Sequence, residues 1–202
     1  LFLSVFLFLI ILFVIRKNNF LVNLILLFSI YLITQTIFDL YKSFKNRNID
    51  LSRIISHFGF GSLIFFISIN HLFSIENNFN AKVGEKKDIN EYVIKFKNLE
   101  TLSFENYKSV VGNFEVSNKK RLTKENLKPE IRVYNKPSTI TYEASINSNF
   151  FSDTYLTMSN ISGTDIFNIK FQKKPFMNFI WLSVVLISIG GILNFFSRKK
   201  II

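Results

Sequence analysis

Between Arg53 and Phe73 the chain reads RIISHFGFGSLIFFISINHLF, with a histidine near each end. A bilayer crossing needs about 20 predominantly apolar residues, and this run supplies them. In a membrane the backbone must satisfy its own N–H and C=O groups, so a single crossing segment of this kind folds as a helix. Ionisable side chains at membrane depth are expensive, which makes His57, about one turn beyond Arg53, the first candidate for a functional group. The sequence before this run is again apolar, whereas the sequence after it, up to Lys174, reads as a water-exposed domain. The fold class that follows is an α-helical multi-pass membrane protein with an inserted antiparallel β-rich domain.

Hydropathy divides the chain further. Residues 1–15 are apolar apart from Ser4 and are closed by Arg16-Lys17. A signal peptide would need a basic start and a small-residue cleavage site. Neither is present, so 1–15 reads as a span truncated at its N-terminus, in a fragment whose upstream part is missing. Residues 20–38 form a second span, with Asn23, Thr34 and Gln35 as its strongly polar positions. Residues 39–53 form a basic loop containing Lys42, Lys45, Arg47 and Arg53, which the positive-inside rule places in the cytoplasm. Residues 54–73 then cross outward, 74–174 form the exterior domain, and 176–196 cross back to a cytoplasmic tail, 197–202, that opens Ser-Arg-Lys-Lys. Trp181, Phe176 and Phe179 stand near the outer end of the last span, where aromatic belts form.

The net charge of +11 raises a nucleic-acid function, but its placement argues against one. Of 25 basic and 14 acidic residues, Ser74–Lys174 holds 16 and 12. Most of the excess therefore flanks the apolar runs, where membrane topology puts it. No nucleic-acid partner is expected. Cysteine is absent, which excludes disulfides, thiol catalysis and thiolate metal sites. Phenylalanine is abundant (25) and glycine scarce (7); with the many Asn, Lys and Ile residues this composition fits an AT-rich genome.

In the exterior segment, alternating runs mark strands: Tyr92, Ile94 and Phe96; Val110, Phe114 and Val116; Ile131–Tyr134; Thr139–Ile146; Thr154–Met158; and Phe167, Ile169 and Phe171. The segment has no histidine. Its carboxylates, such as Glu76, Glu85, Asp88 and Glu91, are interspersed with lysines as on a solvated face. No catalytic triad or phosphate loop is visible, and no catalytic residue can be named. Asn160-Ile161-Ser162 matches a glycosylation sequon, a pattern common by chance. Docking is the expected work of this domain.

An imidazole at His57 could ligate haem iron, relay protons or hydrogen-bond a neighbouring helix. Gly59 and Gly61 could admit a flat macrocycle, or simply another helix, close to the backbone. His71 lies fourteen residues on, about 21 Å along a helix and about 40° off the same face. Two such histidines would suit a di-haem electron carrier, yet Asn70 and Ser74-Ile75-Glu76 place His71 at the interface.

Three groups of residues resemble one family. Ser56-His57-Phe58-Gly59 is similar to the Ala-His-Leu-Gly motif of the cytochrome c maturation family CcmF. Pro129-Glu130-Ile131-Arg132-Val133-Tyr134, with Thr141-Tyr142-Glu143-Ala144-Ser145-Ile146 and Asp153-Thr154-Tyr155-Leu156, resembles its periplasmic segment. Lys174-Pro175-Phe176, Ile180-Trp181-Leu182 and Gly190-Gly191, closed by Arg198-Lys199, look like its last span. The match runs from about Asp50 to Lys200. Ser56, Phe58 and Ile131 depart from the usual residues, and the related nitrite-reductase haem lyase subunit, NrfE, shares the architecture. The resemblance implies a haem lyase subunit of the bacterial inner membrane, with 74–174 in the periplasm and the C-terminus in the cytoplasm. It implies a b-type haem in the membrane, with His57 as one axial ligand of its iron, and haem as the transferred group. The partners implied are a CcmH-type subunit, the haem chaperone holo-CcmE, apocytochrome c, membrane lipid and, as an electron source, quinol. His71 matches no family ligand position. The alternatives are a di-haem membrane electron-transfer subunit and a non-catalytic scaffold or transporter component.

Overall fold

A computed structural model describes residues 2–15, 19–46, 50–120 and 122–198. The chain divides into two compact units, one formed by Leu1–Phe73 with Pro175–Ile202 and the other by Ser74–Lys174.

The first unit is helical: α1 (Phe2–Ile15), α2 (Phe20–Asn46), α3 (Leu51–Phe73) and α4 (Met177–Arg198). Helix α3 is central, packed against α2 and α4, with α1 against α2. Three of the helices, α2, α3 and α4, are long and apolar enough to cross a membrane, consistent with a membrane protein. Helix α1 has 14 residues, fewer than the roughly 20 a crossing needs. Leu26, Ile30, Ile69 and Leu72 form the buried centre of the bundle, with Phe8, Phe65 and Phe176 against it. Many other apolar side chains point outward, among them Phe28, Phe60, Trp181 and Phe195.

Helix ends depart from the hydropathy reading. The expected loop 39–53 is helical as far as Asn46, because hydropathy marks where apolar residues stop and not where a helix stops. Asp39–Asn46 contains neither Gly nor Pro to break the helix. Asp50 then caps α3, its Oδ1 accepting from the Arg53 N–H at 3.2 Å, the usual role of an aspartate at a helix start. Arg16-Lys17, Arg47 and residues 199–202 lie outside the described residues.

Among the described residues the second unit has ten strands: β1 (Ile75–Ala81), β2 (Lys86–Ile89), β3 (Tyr92–Ser103), β4 (Tyr107–Asn118), β5 (Lys124–Leu127), β6 (Glu130–Tyr134), β7 (Thr139–Glu143), β8 (Ser145–Asn149), β9 (Ser152–Asn160) and β10 (Phe167–Pro175). One sheet has the order β1-β10-β9-β8, the other β2-β3-β4-β6-β7, with β5 also paired to β4. The sheets face each other across one core. Phe79, Leu156, Met158, Ile169 and Phe171 come from the first sheet, and Ile94, Phe96, Phe114, Val116, Leu127 and Ile131 from the second. Phe96 and Phe114 stack at 4.2 Å between centroids.

Each alternating run read from the sequence lies on a strand. The run Thr139–Ile146, however, is two strands, broken at Ala144, where the chain passes from one sheet to the other. Strand β1, IENNFNA, carries no continuous apolar alternation; Phe79 and Ala81 are buried and Ile75 packs partly against the same core, with Asn77 exposed between them. It pairs antiparallel with β10, Ile75 opposite Lys173 and Ala81 opposite Phe167.

Candidate functional site

The site begins with the local geometry of α3. His57 Nδ1 lies 2.8 Å from the Arg53 carbonyl oxygen, one turn back. A carbonyl oxygen only accepts, so the bond selects the tautomer protonated at Nδ1 and leaves Nε2 with its lone pair. The imidazole is thus oriented by the backbone of its own helix.

Helix α2 supplies the facing surface. Leu32, Gln35, Thr36 and Asp39 line a cavity of about 190 Å³ together with Arg53, Ile54 and His57. Thr36 is buried, and its hydroxyl donates to the Leu32 carbonyl at 2.7 Å. Gln35 and Asp39 stand four residues apart, on one face of α2. The sequence marked Gln35 as a polar position in a span and Asp39 as the start of a loop. Their spacing was the available signal, and it needed the helix to continue past Asp39. This polar cleft lies near the α2–α3 connection, at the end of α3 where Arg53 stands 4.0 Å from Asp50.

Gly59 and Gly61 are taken up by helix contact. A Cβ at Gly59 would lie 3.0 Å from the Ile187 backbone nitrogen on α4, and one at Gly61 would lie 2.9 Å from Ile33 Cγ1 on α2. Gly190 of α4 returns the contact. Ser52 donates its hydroxyl to the Gly190 carbonyl at 2.9 Å, and a Cβ at Gly190 would fall 2.8 Å from the Ser56 nitrogen. Of the two uses the sequence left open for Gly59 and Gly61, helix packing is the one occupied. Close backbone approach through small residues is the usual way membrane helices associate.

A second, apolar cavity of about 470 Å³ lies among the helices, lined by Ile33, Ile37, Phe58, Phe65, Phe179 and Leu186 with others. His57 does not line it. His71 stands on the last turn of α3, exposed, and lines neither cavity. The two histidines are thus not brought to a common site. Among the described residues no group of three or more His, Cys, Asp or Glu side chains could hold a metal ion.

In the β unit, the motif residues Glu130, Arg132 and Tyr134 project from one face of β6. Glu130 Oε2 accepts from Arg132 Nε at 2.9 Å and from the Ser109 hydroxyl at 3.1 Å. Arg132 also lies over the Tyr107 ring, 5.3 Å from its centroid. Its charge is held first by the Glu130 bond and then by Tyr134, well above the usual arginine range. These residues build a fixed polar and aromatic face on the larger sheet.

The comparisons with known proteins agree with the fold. The model for a family described as the CcmF C-terminal beta-sandwich matches residues 72–175, more than half of the chain. The chain belongs to the CcmF family. Cytochrome c-type biogenesis protein CcmF of Escherichia coli strain K12 is 24% identical over 151 residues, covering 73% of this chain and 23% of that protein. Cytochrome c-type biogenesis protein NrfE of Haemophilus influenzae is 21% identical over 178 residues, covering 86% of this chain and 28% of that protein. The solved structure of Cytochrome c Heme Lyase CcmF superposes with a TM-score of 0.69 at 13% identity, covering 95% of this chain and 34% of that one. The shared fold therefore takes in the helices as well as the sandwich. The chain spans about a quarter of the length of the curated CcmF relatives it matches.

Proposed function

We propose that this CcmF chain works in cytochrome c maturation as part of a haem lyase, carrying haem b in the bacterial inner membrane and assisting haem transfer to apocytochrome c. In this reading α2, α3 and α4 cross the membrane as a multi-pass bundle. The basic positions around 42–53 and the C-terminus face the cytoplasm, and the β-sandwich stands in the periplasm. It meets a CcmH-type subunit and holo-CcmE there, with apocytochrome c as acceptor and quinol as the source of electrons.

The observation that carries the reading is the hydrogen bond from His57 Nδ1 to the Arg53 carbonyl. A carbonyl accepting from one ring nitrogen fixes the imidazole and favours ligation through the other nitrogen. His57 would hold the haem iron through Nε2, and a haem held there supplies one-electron chemistry. The cavity beside His57, about 190 Å³, is smaller than the roughly 300–1,000 Å³ of a ligand pocket. Helices α2 and α3 therefore contribute one ligand and a polar wall, not a complete enclosure. Gln35, Thr36 and Asp39 line the same cavity as His57, and in this reading they would set the polarity around the ring.

The test is the reduced-minus-oxidised spectrum of the protein purified from membranes, beside its His57→Ala variant. Loss of the b-type band from a variant that still accumulates is expected. An unchanged band in that variant would remove His57 from the site.

A further inference from the structure

The strands at the edges of the two sheets are not alike. An edge presents unpaired N–H and C=O groups, and native proteins guard it with lysine, proline or charge. Strand β2 carries Lys86 and Lys87, and β5 carries Lys124. Strand β1 carries Glu76 and three asparagines, and β8 sets a single isoleucine among Ser and Asn. Strand β7, Thr-Ile-Thr-Tyr-Glu, has neither lysine nor proline. Among the described residues it pairs only with β6, so its other side is an open ladder.

Register sorts the side chains along this edge. Tyr142 lies opposite Ile131, and Ile140 opposite Val133. Directly opposed residues share a face of the sheet, and Ile131 belongs to the core. Ile140 and Tyr142 therefore stand on the core side, yet they are 55% and 49% exposed, and Val133 is 41% exposed. The apolar layer of the larger sheet thus runs on, uncovered, to the open edge. On the other face Thr139, Thr141 and Glu143 stand beside Tyr134, Arg132 and Glu130. At the Thr139 end, Lys108 lies opposite Val133 and Lys136 stands in the turn before β7. Both lysines are exposed, and neither has an ion-pair partner among the described residues.

We infer that β7 is an edge for strand addition, taking up an extended segment of another polypeptide as an antiparallel strand. An open ladder is met by backbone, which gives the affinity, while alternate side chains give the specificity. The segment is apolar at alternate positions, to cover Ile140 and Tyr142, and polar between them. A carboxylate at its C-terminal end complements Lys108 and Lys136. A second copy of the chain is the poorer occupant. Strand β7 has 5 residues, a strip about 17 Å long, which falls well short of the roughly 1,000 Å² that a specific dimer buries. The inference stands on the sandwich alone and does not rest on the haem reading at His57.

The experiment titrates the full chain in detergent with a fluorescein-labelled, end-capped peptide, Ser-Val-Ser-Val-Ser-Val-Asp, followed by anisotropy. Two further forms are N-methylated, one on each alternate set of residues, so that each loses the ladder donors of one side. Saturable binding is expected, with one of these forms at least about tenfold weaker and the other unaffected. Ile140→Lys places a natural edge guard at an exposed position. It is expected to weaken the unmodified peptide by a similar factor while the circular dichroism spectrum stays the same. The N-methyl comparison uses the unaltered chain, so it stands however the variant folds. No saturable binding, no loss in either N-methylated form, or full binding by a folded Ile140→Lys variant each overturns the inference. A concentration-dependent dimer of the unaltered chain that Ile140→Lys abolishes overturns it in favour of a second copy.

Discussion

Lys173 and Glu125 meet at 3.5 Å with side chains only 13% and 18% exposed, and Lys173 also donates to Thr154 Oγ1 at 2.5 Å. The second oxygen of Glu125 is buried without a partner among the described residues. The pair joins β5 of one sheet to β10 of the other, so it reports on sheet–sheet packing as well as on charge. Removing one member of a partly buried pair strands the other, at about 1–3 kcal/mol. Lys173→Met is therefore expected to lower unfolding stability by that order, while Lys173→Met with Glu125→Leu recovers most of the loss, as read by a denaturant double-mutant cycle. A second residue-scale test concerns pH. Tyr155 donates to Asp153 Oδ2 at 3.1 Å, and burial, followed by the Asp153 charge, pushes its phenol above the ordinary range. A raised pKa means the folded state favours the neutral phenol. Its contribution is complete below the free-tyrosine value of about 10 and is lost as pH rises through the raised one. Thermal scans between neutral and strongly alkaline pH should show this loss in the unaltered protein and a smaller one in Tyr155→Phe.

Helix packing turns on glycines that look alike in the sequence. A Cβ at Gly190 would meet backbone atoms of α3 at 2.8 and 2.9 Å, whereas one at Gly191 would meet nothing within 4 Å. Gly190→Ala is expected to destabilise the bundle by about 1–3 kcal/mol through overpacking. Gly191→Ala is expected to stabilise it by up to about 1 kcal/mol through helix propensity. Opposite shifts in detergent melting temperature for these neighbours would bear this out; shifts of the same sign would not. The contrast also marks what could be read in advance. Apolar length placed α2, α3 and α4, and alternation placed the strands around Phe96, Phe114 and Phe171. Hydropathy could not find the end of α2, because charged residues enter at Asp39, Lys42 and Lys45 on a helix with no Gly or Pro to stop it. Alternation could not find the change of sheet at Ala144, because that change is a matter of which strand lies alongside. His57 stood out from the start, since ionisable groups in a span are rare. Its orienting acceptor was hidden, because a backbone carbonyl has no sequence signature.

Taken whole, the chain is a helical bundle interrupted between α3 and α4 by a self-contained sandwich. The two ends of the sandwich are adjacent strands, Ile75 opposite Lys173, and its core draws on both sheets without the helices. The segment 74–174 is therefore expected to fold when produced alone. A β-type circular dichroism spectrum with one cooperative unfolding transition is the check, and a disordered spectrum would show that the helices are needed. A unit with paired ends can be inserted between two helices without reordering either neighbour.

The same pairing has a mechanical side. Both tethers leave the sandwich from one end of an antiparallel pair, so pulling α3 away from α4 would open β1 from β10 like a zipper. The load would fall on one rung of hydrogen bonds at a time, beginning at Ile75 and Lys173, and never on the ladder as a whole. That is the compliant direction of a sheet. The ring contacts of Phe66 with Phe176 and Phe179, near the ends of α3 and α4 from which the tethers leave, would oppose that separation before it reached the first rung.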